Sequence, residues 1–134
     1  MSSLAGTLAL ASAAVAGTGA PVIRELWTPL PCPTHPNSTV EIEACLERTV
    51  LRSDRRINAK AVMIVGLLRQ QSDRAAFVEG EQAWLRYRRR SCSATASVYR
   101  GGSAEPVAFL RCEQNRNIRH LTDLLDTERT LHHG

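Results

Sequence analysis

Four cysteines, four histidines and a run of arginines around two aromatic rings are the groups in this 134-residue chain that could do chemistry. Cys32, Cys45, Cys92 and Cys112 can hold a soft metal or close disulfides. His35 follows Cys32 at C-x-x-H spacing, but Cys92 and Cys112 stand 20 residues apart and supply no second tight pair for zinc. An even count in a small chain instead reads as two disulfides, with three pairings open and no metal expected. His35, His120, His132 and His133 have no serine or cysteine beside them in a nucleophile context, and no G-x-S-x-G, H-E-x-x-H or phosphate-binding glycine loop occurs. The carboxylate pairs Glu41/Glu43 and Glu79/Glu81 lie at i, i+2 and diverge around a helix. Neither an enzyme nor a cofactor is expected from these residues.

The remaining cluster is EQAWLRYRRRSC, residues 81–92, where Arg86, Arg88, Arg89 and Arg90 surround Trp84 and Tyr87. Such a run can contact phosphates and stack bases. The competing reading is a helix that buries Trp84 and Tyr87, three apart, and turns its arginines to water, with Glu79 and Glu81 in reach. Sixteen arginines against the single Lys60 make the formal charge +4, well below that of a dedicated nucleic-acid arm, and no nucleic-acid partner is expected.

The elements that must position these groups can be read from the pattern. Residues 1–20 carry no charge, and an apolar run at 8–16 precedes small residues and Pro21. This reads as a secretory signal or flexible leader, with an A-x-A-like site at residues 14–16. It is too short to span a membrane, which takes about 20 apolar residues. Residues 21–38 hold five of the six prolines and read as an extended arm tied down at Cys32. Ser38 and Glu41 form a capping box that starts a helix at Thr39, and Asn37-Ser38-Thr39 is also a glycosylation sequon. Leu46, Val50, Ile57, Ala61, Ile64 and Leu68 form the first helix's apolar stripe, and residues 61–68 are apolar all round, which predicts cover on more than one side. The pattern resets at residues 70–73, with Ser72 or Asp73 as cap. A second helix runs from about Arg74 to Tyr99 on a stripe of Phe77, Trp84 and Ser91, with Gly80, Tyr87 and Cys92 beside it. Gly101 and Gly102 end it through positive φ, and Ser103 caps a third helix with Pro106 in its first turn. Leu110, Gln114, Ile118, Leu121 and Leu125 mark the third stripe, and the tail after Asp126 is expected to fray. The expected fold is all-α, an antiparallel three-helix arrangement over residues 39–131, stapled by two disulfides and preceded by the Pro-rich arm. In that layout Cys32 can reach Cys45, and Cys92 can reach Cys112.

The order Trp84, Tyr87, Arg88, Cys92, then Tyr99, Gly101, Gly102, Ser103, then Cys112 resembles the LprI-type lysozyme-inhibitor family. Its pattern runs Q-x-x-W-x-x-Y-R-x-x-C, Y-x-G-G-S and a final Cys. The resemblance covers about residues 32–125. Gln82 is one position from the usual glutamine, and Leu121-Thr122 is displaced from the family's Leu-Thr stretch. The resemblance implies a small exported bacterial domain in which Trp84, Tyr87 and Arg88 are a structural motif. It also implies a non-enzymatic binding protein whose target is lysozyme. Animal lysozymes are strongly cationic, so a +4 chain must offer local acidic patches, for which Glu79/Glu81 and Asp123/Asp126 are the candidates. The loop of Tyr99, Arg100, Gly101, Gly102 and Ser103 is the expected contact, because loops on a stapled scaffold carry recognition. The alternative from charge alone is a cell-envelope module without lysozyme activity that binds anionic envelope polymers.

Overall fold

The computed structural model describes residues 19–24 and 30–134. The apolar run at 8–16 and the segment around Trp27 lie outside the described residues. Three helices account for almost everything from residue 39 onward: α1 Thr39–Leu67, α2 Gln71–Ala96 and α3 Ala104–His133, with a short 3-10 turn at Ser97–Tyr99 after α2. No strand occurs among the described residues.

α1 begins where its capping box lies. The Glu41 N–H donates to Ser38 Oγ at 3.2 Å, and the Glu41 carboxylate accepts from the Ser38 N–H at 3.3 Å and the Asn37 N–H at 2.8 Å. Two otherwise unpaired N–H groups of the helix start are thereby satisfied. α2 starts earlier than the pattern predicts: Gln70 is the N-cap and gives no side-chain cap bond. Neither Ser72 nor Asp73 caps it; instead Arg74 Nε donates to the Leu68 carbonyl at 2.6 Å and ties the turn between the helices. The glycine turn also differs in detail. Only Gly101 has positive φ, at 79°. Gly102 serves by closeness, since a Cβ there would sit 3.2 Å from the Tyr99 carbonyl. Ser103 makes no side-chain cap; the Glu105 carboxylate accepts from the Gly101 N–H at 2.9 Å and holds the loop. α3 then continues to His133, so the tail is helical and not frayed.

α3 packs against both other helices, whereas α1 and α2 barely touch each other. Its direction matches α1, as Asp54–Asn117 and Lys60–Glu128 require, and opposes α2, as Glu81–His120 and Cys92–Cys112 require. The aliphatic core is Ile57 and Ile64 from α1 with Leu121 and Leu124 from α3, against which Ile23, Phe77 and Trp84 pack. The arm adds a two-way bond: the Ile23 N–H donates to Asn58 Oδ1 at 2.7 Å, and Asn58 Nδ2 donates to the Ile23 carbonyl at 3.1 Å.

The stripes are shifted from the apolar pattern. On α2 the buried positions are Val78, Glu81, Arg88, Cys92 and Ala96, one step round from Phe77, Trp84 and Ser91. On α3, Ile118 and Leu125 are exposed, and Glu113, Asn117, His120 and Leu124 take the inside. Val62 and Met63 are exposed too, so the apolar end of α1 is not covered all round. The cause is common to the three helices: the inside is partly polar, so a stripe of apolar residues does not trace it.

The disulfides join Cys32 to Cys45 and Cys92 to Cys112, with Cα atoms 4.8 Å and 5.4 Å apart. All four cysteines are in these bonds. The second bridge clamps α2 to α3 just before the loop; the first ties the arm to the second turn of α1.

Candidate functional site

Arg88 is only 2% exposed, the reverse of an arginine on a wet face. A guanidinium in that position needs partners for its fork of donors, and the other two helices supply them. Arg88 Nη1 donates to Asp54 Oδ1 of α1 at 2.6 Å and to Asn117 Oδ1 of α3 at 2.8 Å; Arg88 Nε lies 3.4 Å from Glu113 Oε1. Asn117 Nδ2 in turn donates to Asp54 Oδ1 at 2.8 Å and Ser53 Oγ at 2.7 Å. One turn away, Trp84 stacks on His120 with ring centroids 3.7 Å apart and planes 9° from parallel. His120 Nε2 stands 2.9 Å from Glu81 Oε2, and the Arg88 guanidinium carbon sits 5.4 Å from the Trp84 ring centre. Trp84 and Arg88 therefore belong to one buried polar assembly that locks three helices in register. Tyr87 does not: its ring is 51% exposed and carries the Arg116 guanidinium on its face, 5.2 Å from the ring centre. Arg86, Arg89 and Arg90 are exposed, as a wet face requires.

His120 and Glu81 form the nearest approach to an acid–base pair among the described residues; both are buried, and His120 lies stacked against Trp84.

The accessible surface lies at the end of the bundle where both disulfides sit. Tyr99, Arg100, Gly101, Gly102 and Ser103 are all exposed there. Beside the loop, a cleft of about 300 Å³ opens between the start of α1 and the start of α3. Ala96, Pro106, Phe109 and Leu110 give it an apolar lining, and Glu43, Glu47 and Glu105 bring three carboxylates to it. Burial pushes the Glu47 carboxyl above the ordinary glutamate range; the Glu43 carboxylate adds to the rise, and the Arg48 guanidinium opposes it. The two acidic patches expected from sequence are not equivalent to this cleft. Glu81 is buried against His120, and Asp126 is paired with Arg129. Glu43 and Glu47 stand at i, i+4, so their shared face was readable once the helix was; Glu105 joins them only through the fold.

The raised Glu47 gives a pH prediction. Between the ordinary glutamate value and its raised folded value, the folded chain holds more protons than the unfolded one, so stability falls as pH rises through that window. Glu47→Gln removes this slope and leaves the protein more stable than wild type above it. Urea midpoints for both proteins from about pH 4 to about pH 7 check this; parallel curves would refute the cause assigned to Glu47.

A family model described as lysozyme inhibitor LprI matches residues 32–124. The chain belongs to the LprI family. No curated protein and no solved structure matches it. The LprI match begins at the arm's cysteine and ends at Leu124, so it takes in both disulfides, the Arg88 assembly, the acidic cleft and the loop. No helix among the described residues is long and apolar enough to cross a membrane.

Proposed function

We propose that this LprI chain is an exported, non-enzymatic protein that binds and inhibits lysozyme. The observation that carries the reading is the family match over 32–124, which contains α1, α2, both disulfides and α3 as far as Leu124. Two disulfides in a small domain support an oxidising compartment, hence export to the periplasm, the cell envelope or the exterior. The contact is the loop end of the bundle. Glu43, Glu47 and Glu105 over an apolar floor suit a cationic partner, which the overall +4 does not. Tyr99 and Arg100 stand clear of the scaffold beside them, and a glycosidase cleft with its two carboxylates is a surface an exposed arginine complements.

The test is lysis of a peptidoglycan suspension by animal lysozyme, with the oxidised full chain titrated in at low and moderate salt. Lysis should fall with dose. Arg100→Glu and the double change Glu43→Gln/Glu47→Gln should each weaken inhibition by about tenfold or more, while Arg90→Gln leaves it unchanged. Undiminished lysis at high molar excess, with both disulfides intact, sinks the lysozyme reading.

A further inference from the structure

On the opposite side of the loop from the acidic cleft, the wall reverses sign. A groove of about 530 Å³ runs along α3, lined by Arg111, Asn115, Arg116 and Arg119 and closed at one end by Tyr99. No carboxylate lines it. Arg111, Asn115 and Arg119 are four residues apart in turn, so they share one face and space the two outer guanidinium groups over about 12 Å of helix. Neither Arg111 nor Arg119 has an ion pair or side-chain hydrogen bond among the described residues. Arg116 is held between them: its Nη2 donates to Ser91 Oγ at 2.9 Å, and it lies on the Tyr87 ring. Three like charges gathered without a carboxylate in the lining make a surface that favours an anion from outside. Guanidinium forks match phosphate oxygens two at a time. Tyr99, half exposed in this lining, gives a flat apolar face to the ring carbons of a sugar.

We propose that this groove binds a strand of phosphate-bearing glycan polymer, the arginines taking the phosphodiesters and Tyr99 a sugar face. A linear polyanion fits a groove whose charges are spaced along a helix, and the disulfides argue against a nucleic acid as its natural ligand. The site is separate from the acidic cleft, so one chain holds a wall polymer on one side of its loop and a cationic protein on the other. It does not depend on the lysozyme reading.

The test is co-sedimentation of the oxidised full chain with bacterial wall sacculi that retain their phosphodiester-linked glycans, beside sacculi stripped of them by acid, at about 0.15 M salt. The chain should pellet with the first and stay in solution with the second. Arg111→Glu/Arg119→Glu should weaken binding by about tenfold or more, and Arg89→Glu/Arg90→Glu, the same charge change on the exposed face of α2, by less than about threefold. Tyr99→Ala should weaken binding with no change in the salt slope, because it removes no charge. All four arginines are exposed, so both doubles should stay folded, which helical circular dichroism checks. Equal loss in the two doubles would reduce the effect to net charge and overturn the proposal. So would equal pelleting with stripped sacculi, or release by polyglutamate or a DNA oligonucleotide as effective as release by the purified glycan.

Discussion

Replacing Arg88 by methionine is expected to cost about 3–5 kcal/mol of folding stability. The side chains are near in volume, so packing is not the cause. Asp54 and Glu113 would remain inside the bundle, each 5% exposed or less, with their cationic partner gone. Asp54 would keep the bond from Asn117 Nδ2, but buried carboxylates are costly without a cation beside them, and two would share the same small space. The converse variant separates this cause from lost packing. Changing Asp54, Arg88 and Glu113 together to apolar residues of similar size should restore stability to within about 2 kcal/mol of wild type, because a buried ion cluster does not outperform a packed apolar one. Arg89→Met and Arg90→Met, on the wet face, should each stay within about 0.5 kcal/mol. Denaturant midpoints at constant slope read all of these; a single Arg88→Met that matches Arg89→Met would show that the assembly does not hold the helices.

Removing the Cys92–Cys112 bridge as an alanine pair is expected to cost about 3 kcal/mol, through the entropy returned to the unfolded chain. The Cys32–Cys45 bridge closes a shorter loop, 13 residues apart against 20, and the same model makes it weaker by only about 0.4 kcal/mol. The two losses differ in place more than in size. Without Cys92–Cys112, α2 and α3 are free to part near the loop, and amide exchange should speed up across residues 92–112. Without Cys32–Cys45, the change should be confined to the arm and the first turns of α1. Since a domain of this kind has a net stability of about 5–15 kcal/mol, loss of both bridges removes much of it. Full stability in a reducing buffer would overturn both the magnitude and the argument for export built on the bridges.

Much of the fold was legible because helix boundaries are written in local chemistry. Ser38 and Glu41 mark the start of α1, and the Gly101-Gly102 pair marks the turn before α3, with nothing tertiary needed. Val50, Ile57, Ala61 and Ile64 trace the inner face of α1 for the same reason: the pattern is apolar there. What stayed hidden is the polar half of the core. Glu81 and Arg88 in α2, and Glu113, Asn117 and His120 in α3, read as solvent-facing until the helices meet, because the partners that bring them inside stand 25 or more positions away. That is why the predicted stripe of α2 was one step out and why Tyr87 was placed inside. At the loop end, the five exposed residues could be named in advance from the glycines; the acidic cleft beside them required two helices 60 residues apart in sequence to be brought together.

The polar core has an electrical consequence outside it. Among the described residues Asp54, Glu81 and Glu113 are withdrawn from solvent and Arg88 is the one guanidinium that goes with them, so burial takes a net two negative charges off the surface. Diffusional capture of a cationic protein is then opposed at long range and favoured only within the cleft, so its rate rises as salt shortens the Debye length. Capture of a polyanion shows the opposite trend. Burial takes those carboxylates off every contact surface but leaves them in the net charge, so a partner is steered from afar by the whole +4 and meets the more positive face only when it arrives.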